Sequence, residues 1–201
     1  MLRIGISGLP GTGKSCLARG LSTAFIGVNG FENVEYTAEY ARHYIAKYGP
    51  PKEIYEQFRI IRKQQEWEDV LPEEISLMIT DCPLPMNLAY VLDMRDRNED
   101  VSLKDQMMIS DIVSMLSKAN YPTRYDFMFH LPPVVSPKKD GVRIDLHFEE
   151  EWRQTMEGHF STSFDMFPSK RLEVVVPLNH EDRVLFCRDI VLGKEPIEII
   201  S

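Results

Sequence analysis

"GLPGTGKS", residues 8–15, is the stretch whose reading decides the fold. The spacing Gly8-x4-Gly13-Lys14-Ser15 is that of a P-loop, and its flanks agree with it. Leu2 to Ile6 is an apolar run that reads as a buried strand. Ser15 to Phe25 reads as an amphipathic helix with Leu17, Leu21 and Phe25 on one side. Glycines at 8, 11 and 13 permit positive φ and bring backbone N–H groups against phosphate oxygens. The helix N-terminus adds the positive end of its dipole. Lys14 supplies a point charge for the β- and γ-phosphates, and the Ser15 hydroxyl is placed to ligate Mg²⁺. The expected set that binds a nucleoside triphosphate is therefore Gly8, Pro10, Gly11, Thr12, Gly13, Lys14, Ser15 and Cys16.

The chain has 201 residues, enough for a single domain over 1–201 with a full core and a lid segment around 132–160. A hydrophobic fraction of 43% and a charged fraction of 27% are ordinary for a globular protein. No apolar run approaches the ~20 residues needed to span a bilayer, and the N-terminus runs straight into a strand. The expected location is thus the cytoplasm, or the host cytoplasm for a viral protein. Cys16, Cys82 and Cys187 lack CxxC spacing, so reduced thiols near the core are expected. His43, His130, His147, His159 and His180 form no metal-ligand spacing with them, which speaks against zinc. The net charge of −8 argues against sequence-independent binding to long nucleic acid, although a local basic groove remains compatible with it.

Further apolar segments read as strands at Val34–Thr37, Ile75–Thr80, Phe127–Leu131 and Leu172–Pro177. Helical patterns fall between them at Glu39–Tyr48, Pro51–Val70, Met86–Met94, Leu103–Lys118, Phe148–Phe160 and Asp182–Leu192. Strands alternating with helices predict an α/β fold with about five parallel strands and helices on both faces. Ligands in such sheets lie at the carboxyl ends of the strands, so residues that follow strands are the ones to weigh.

After the second strand comes "YTAEYARHY", residues 36–44. Glu39 and Arg42 are three apart and share a helix face. The carboxylate suits proton acceptance from an attacking hydroxyl, and the arginine suits substrate or phosphate oxygens. An ordinary first-turn glutamate in an i, i+3 ion pair fits the spacing equally well. The third strand ends in "LMITDCP", with Asp81 directly after Thr80. A carboxylate there serves either in a magnesium site or as the general base, and both roles stay open. "SPKKDGVRID", residues 136–145, concentrates Lys138, Lys139 and Arg143 on a proline-bounded segment and reads as a lid, with Arg143 as its leading cation. The weaker candidates are Gln64, Gln65 and Trp67 for contact with an aromatic acceptor, and Tyr40, Tyr44 and Phe58 for stacking on it. Arg183 falls near the expected adenine edge but reads as a solvated helix residue.

Together, the P-loop, "AEYARHY", the Gln-bearing helix before "ITDCP" and "DGVR" resemble the nicotinamide riboside kinase-like P-loop kinases, a group close to the thymidylate and deoxynucleoside kinases. The resemblance implies a five-stranded parallel sheet, ATP with Mg²⁺, and transfer of the γ-phosphoryl to a nucleoside-type hydroxyl. It implies that Gly8–Ser15 bind ATP, that Asp81 sits in the acidic site near magnesium, that Glu39 and Arg42 face the acceptor, and that Arg143 belongs to the lid. With the reading of the residues, the expected catalytic set is Lys14, Asp81, Glu39 and Arg143, the metal set Ser15 and Asp81, and the acceptor set Glu39, Arg42 and Gln65. One departure is Asp81-Cys82, where the family has an aspartate–arginine pair. The chain is also similar to small kinases that phosphorylate the hydroxymethyl group of a modified pyrimidine in viral DNA. That alternative needs a basic channel, to which Lys138, Lys139, Arg143, Arg153, Lys170 and Arg171 would contribute. An NTP-hydrolysing switch is the alternative from another class; it needs a partner-dependent arginine finger that the sequence does not display.

Overall fold

The computed structural model describes residues 1–98, 100–118, 124–132, 149–167, 171–173 and 179–194. In chain order these form β1 (Leu2–Gly8), α1 (Lys14–Phe25), β2 (Val34–Thr37), α2 (Tyr40–Tyr48), α3 (Ile54–Asp69), β3 (Leu77–Thr80), α4 (Leu84–Asp96), α5 (Leu103–Lys118), β4 (Phe127–Leu131), α6 (Glu150–Met166), β5 (Arg171–Glu173) and α7 (His180–Val191). The five strands make one sheet in the order β2-β3-β1-β4-β5, parallel at every pairing. This is the expected α/β architecture.

Side chains that alternate along each strand feed two different layers. Ile4, Ile6, Leu77, Ile79, Phe129 and Leu131 pack with Leu17, Leu21 and Phe25 of α1 and with Val184 and Cys187 of α7. Met78 and Met128 point the other way, into Met86, Trp152, Met156, Phe160 and Phe164 of α4 and α6. A third apolar cluster joins α3, α4 and α5 through Ile61, Leu88, Val91, Ile112 and Leu116. Both faces of the sheet are therefore covered. Gly5 allows the start of α4 to come close, because a Cβ there would lie 2.9 Å from Pro83 Cβ.

The topology sets where a ligand goes. From β1 the chain leads out to β2 on one side, while from β3 it crosses to β4 on the other. The crevice beyond the carboxyl ends of β1 and β3 is the switch point, the usual ligand position in open α/β sheets. Gly8 and Asp81 sit at its two walls.

Some boundaries moved for identifiable reasons. Helix α4 starts at Leu84 rather than Met86 because Pro83 and Pro85 suit the first turn, where a missing N–H is harmless. Helix α6 runs on past Phe160 to Met166 despite a Ser/Thr-rich end. Ser163 is buried there and donates to the Pro85 carbonyl, and Phe164 is packed in the core, so tertiary contacts override weak helix propensity. Of the three cysteines, Cys82 and Cys187 are buried as expected, but Cys16 is exposed because it sits on the outer side of the first turn of α1.

Candidate functional site

The loop after β1 has the backbone that its glycines permit. Gly8, Gly11 and Gly13 have φ of 136°, 91° and 94°. A Cβ on Gly8 would lie 2.5 Å from the Leu131 carbonyl oxygen, so no other residue fits there. Gly13 caps α1 in a left-handed conformation with no side-chain hydrogen bond, leaving the first helical N–H groups for a ligand. Lys14 folds back over the loop, and its ammonium donates to the carbonyls of Gly8 at 2.8 Å and Leu9 at 2.9 Å. Burial lowers the Lys14 pKa below its ordinary value, while Glu39, Cys82 and Asp81 oppose that shift. Thr12 pins the loop by donating to the Leu9 carbonyl at 2.9 Å.

Asp81 lies across the crevice, almost fully buried. The Tyr36 hydroxyl donates to its Oδ2 at 3.0 Å, and the Arg19 guanidinium lies 5.5 Å from the Tyr36 ring centroid. The other oxygen, Asp81 Oδ1, is buried with no hydrogen bond. An orphaned carboxylate oxygen within electrostatic reach of the P-loop lysine has the donor chemistry that Mg²⁺ takes. Ser15 and Asp81 therefore fit the expected metal. Among the described residues no group of three or more His, Cys, Asp and Glu gathers as a self-sufficient metal centre.

Glu39 is the N-cap of α2, not a residue of its first turn. Its Oε2 accepts from Arg42 Nε at 3.0 Å, so the pair read from the spacing forms. Glu39 also lies within electrostatic reach of Lys14 and Asp81. Burial raises its pKa, Lys14 lowers it, Asp81 raises it further and Arg42 opposes. Glu39 is held in place through Gln64, which is buried and accepts from the Tyr40 backbone N–H at 2.8 Å while donating to Thr80 Oγ1 at 3.3 Å. Gln64 thus braces α2 against the end of β3 and does not face an aromatic ligand.

The neighbouring Gln65 is half-buried on α3. Trp67, 39% exposed, meets Tyr40 edge-on at 4.9 Å, forming an outer aromatic pair. Tyr44 is buried and donates to Glu56, and Phe58 packs into the α3–α5 core, so neither is free to stack on a ligand. Cys82 is a buried thiol to which Asn87 Nδ2 donates at 3.3 Å. Burial pushes its pKa well up, which makes it an inert thiol. Lys138, Lys139, Arg143 and Lys170 lie outside the described residues, as does the segment 136–145.

Two arginines given other places by the sequence reading reach the loop. Arg153 of α6 is buried, and its Nη1 donates to the Pro10 carbonyl at 3.4 Å, so it does not line an open basic channel. Arg183 of α7 is half-buried, and its Nη1 donates to the Thr12 carbonyl at 3.3 Å, so it is not the solvated residue expected. Helix α6 is seated by a second contact one turn on. Ser7 Oγ lies 3.0 Å from His130 Nδ1, and His130 Nε2 lies 2.9 Å from Glu157 Oε2. Only the i, i+4 spacing of Arg153 and Glu157 hinted at a shared inward face. A groove of ≈ 910 Å³ opens beside Gly13 between α1 and α7, lined among others by Cys16, Arg19, Thr23, His180 and Arg183. That volume accommodates a nucleobase.

The profile of the AAA domain family (AAA_28) matches residues 3–183. The chain belongs to the AAA domain family. Within it, this member has the fold of P-loop nucleoside and nucleotide kinases. NadR protein in complex with NR superposes with a TM-score of 0.70 at 17% identity over 100% of this chain and 54% of that one. The chain thus spans about half the length of that NadR protein. Deoxyadenosine kinase from M. mycoides with bound dATP superposes at a TM-score of 0.56 and 18% identity, over 96% of this chain and 98% of that one. Thymidylate kinase from Ehrlichia chaffeensis gives 0.57 and 15%, over 96% and 97%. No curated protein matches the sequence. Among the described residues no helix is long and apolar enough to cross a membrane.

Proposed function

We propose that this AAA-family chain is an ATP- and Mg²⁺-dependent kinase that transfers the γ-phosphoryl of ATP to a hydroxyl of a nucleoside, nucleotide or nucleoside-like acceptor. The observation that carries the reading is the convergence of Glu39 and Asp81 on Lys14 at the switch-point crevice. Hydrolysis and transfer both need a group that activates the attacking oxygen, and Glu39 takes that role. The pairing of that carboxylate with Arg42, a cation suited to a second substrate, favours transfer. Burial raises the Glu39 pKa, and a carboxylate so raised is a stronger base than one in water.

In this reading Gly8 to Ser15 hold the triphosphate and Lys14 meets its terminal charge. The base enters the groove between α1 and α7. Ser15 and Asp81 Oδ1 would hold Mg²⁺, which would supply positive charge to the phosphates. Arg42 orients the acceptor beside Glu39. Glu39 removes the proton from the attacking hydroxyl, and Arg153 brings positive charge to the rim of the loop.

The test is a screen with γ-labelled ATP against nucleosides, nucleotides, nicotinamide riboside and DNA carrying 5-hydroxymethylpyrimidines. Label transfer to a small acceptor, abolished by Lys14→Ala, is the expected result. Transfer to DNA alone would move the acceptor to a modified base. ATP hydrolysis that responds to a protein partner and to no acceptor would replace the kinase reading with a switch.

A further inference from the structure

Among the described residues, Thr37 Oγ1, Asp81 Oδ1 and Asn87 Oδ1 are buried with no hydrogen bond. The three belong to one place in the fold. Thr37 ends β2 in register with Thr80, Asp81 follows Thr80, and Asn87 lies on α4 with its amide on the Cys82 thiol. Cys82 in turn lies within electrostatic reach of Glu39, Asp81 and Lys14.

The fold itself has no use for an unsatisfied amide there. Around Asn87, α4 buries Leu84, Met86, Leu88, Ala89, Val91 and Leu92. Asp93 of the same helix makes the contrast. It is equally buried, but one oxygen accepts from Trp152 Nε1 at 3.1 Å and the other from Arg97 Nη2 at 2.7 Å. A buried carbonyl oxygen without a donor is costly, and such groups in native proteins call for a specific explanation.

We propose that Asn87 is a specificity-determining residue, whose Oδ1 accepts a hydrogen bond from an O–H or N–H of the phosphoryl acceptor. The inference rests on the kinase reading and narrows it. Asn87 Oδ1 and the Glu39 carboxylate are acceptors only, and Thr37 can serve as one. A ligand that satisfies them presents donors. Asp81 Oδ1, the remaining orphan, is taken by the metal. A sugar hydroxyl and a base N–H offer the same donor chemistry, so the experiment has an arm for each.

Wild type, Asn87→Leu and Asn87→Ala are assayed on adenosine, 2′-deoxyadenosine, 3′-deoxyadenosine, N6-dimethyladenosine, thymidine, N3-methylthymidine, the 5′-monophosphates of these, and nicotinamide riboside, with Tm measured in parallel. Wild type should favour one parent over its donor-lacking analogue by about 10- to 100-fold in kcat/KM. Asn87→Leu should erase that preference, leave KM for ATP unchanged, and hold or raise Tm, because an apolar side chain removes the orphan. The affected pair identifies the donor as sugar or base. Asn87→Ala should erase the same preference should leucine fail to fit. A lower Tm with unchanged discrimination would make Asn87 a structural residue and overturn the proposal. So would an equal loss on every acceptor. A wild-type protein inert toward the whole panel, nicotinamide riboside included, would overturn the kinase reading and take this inference with it.

Discussion

The phosphate wall of the crevice comes from eight consecutive residues, Gly8 to Ser15, and does its work largely with main chain. The proposed acceptor wall takes Glu39 from the cap of α2, Asp81 from the end of β3 and Asn87 from α4, and would do its work with side chains. The first wall is pinned by its own side chains, with Lys14 donating to the Gly8 and Leu9 carbonyls and Thr12 to the Leu9 carbonyl. The second depends on braces, with Gln64 tying α2 to β3 and Tyr36 holding Asp81. A local wall recognises what every triphosphate shares, whereas an assembled wall can be changed one side chain at a time to suit a different acceptor.

The largest expected effect tests the local wall. Lys14→Ala should lower kcat/KM by at least about 10³-fold, more than the loss of one ordinary hydrogen-bond donor, with the circular-dichroism spectrum intact. Near-normal turnover would end the distinction between the walls. Asp81→Asn is next, with about a 10²- to 10³-fold loss of turnover while calorimetry still finds nucleotide bound. If nucleotide affinity falls in step with rate, Asp81 belongs to the phosphate wall instead.

Arg153→Ala should cost about 10²-fold in the chemical step, with a smaller change in nucleotide affinity, as for other preorganised donors. Loss of affinity alone would reduce Arg153 to a strut for the loop.

Glu39→Gln should lower acceptor phosphorylation by about 10²-fold and leave background hydrolysis nearly unchanged. It carries a pH signature as well. Burial raises the folded-state pKa of Glu39 above its ordinary value of 4.5, so the fold favours the protonated form. The stability this contributes is present below 4.5 and is lost as pH rises through the folded-state value. Glu39→Gln should therefore raise Tm relative to wild type at pH 8 and not at pH 4. Equal shifts at both would remove the buried charge from the account.

Trp67→Ala should have the smallest effect, about 1 kcal/mol of stability for an aromatic pair and less than about a twofold change in acceptor KM. A larger KM change would extend the acceptor wall outward to Tyr40 and Trp67.

Element order and sheet type were legible in the sequence because strand and helix periods are local, and β2, β4 and α5 fall on the expected residues. The P-loop was legible for the same reason, since its chemistry is written in consecutive backbone conformations. Glu39 and Asp81 could be named only as residues that follow strands. Their meeting at Lys14 required β3 to lie between β2 and β1. Gln64 and Gln65 looked alike in sequence, and only the rotation of α3 against β3 buries one and half-exposes the other. Arg153 and Arg183 carry no motif, and they reach the Pro10 and Thr12 carbonyls because α6 and α7 pack beside the loop. The amino-acid sequence by itself determined the phosphate-binding loop and the alternating α/β layout, because both arise from interactions between near neighbours. The tertiary structure alone decided which acids, amides and arginines share the crevice, because residues far apart in the chain become neighbours only once strand order and helix rotation are set.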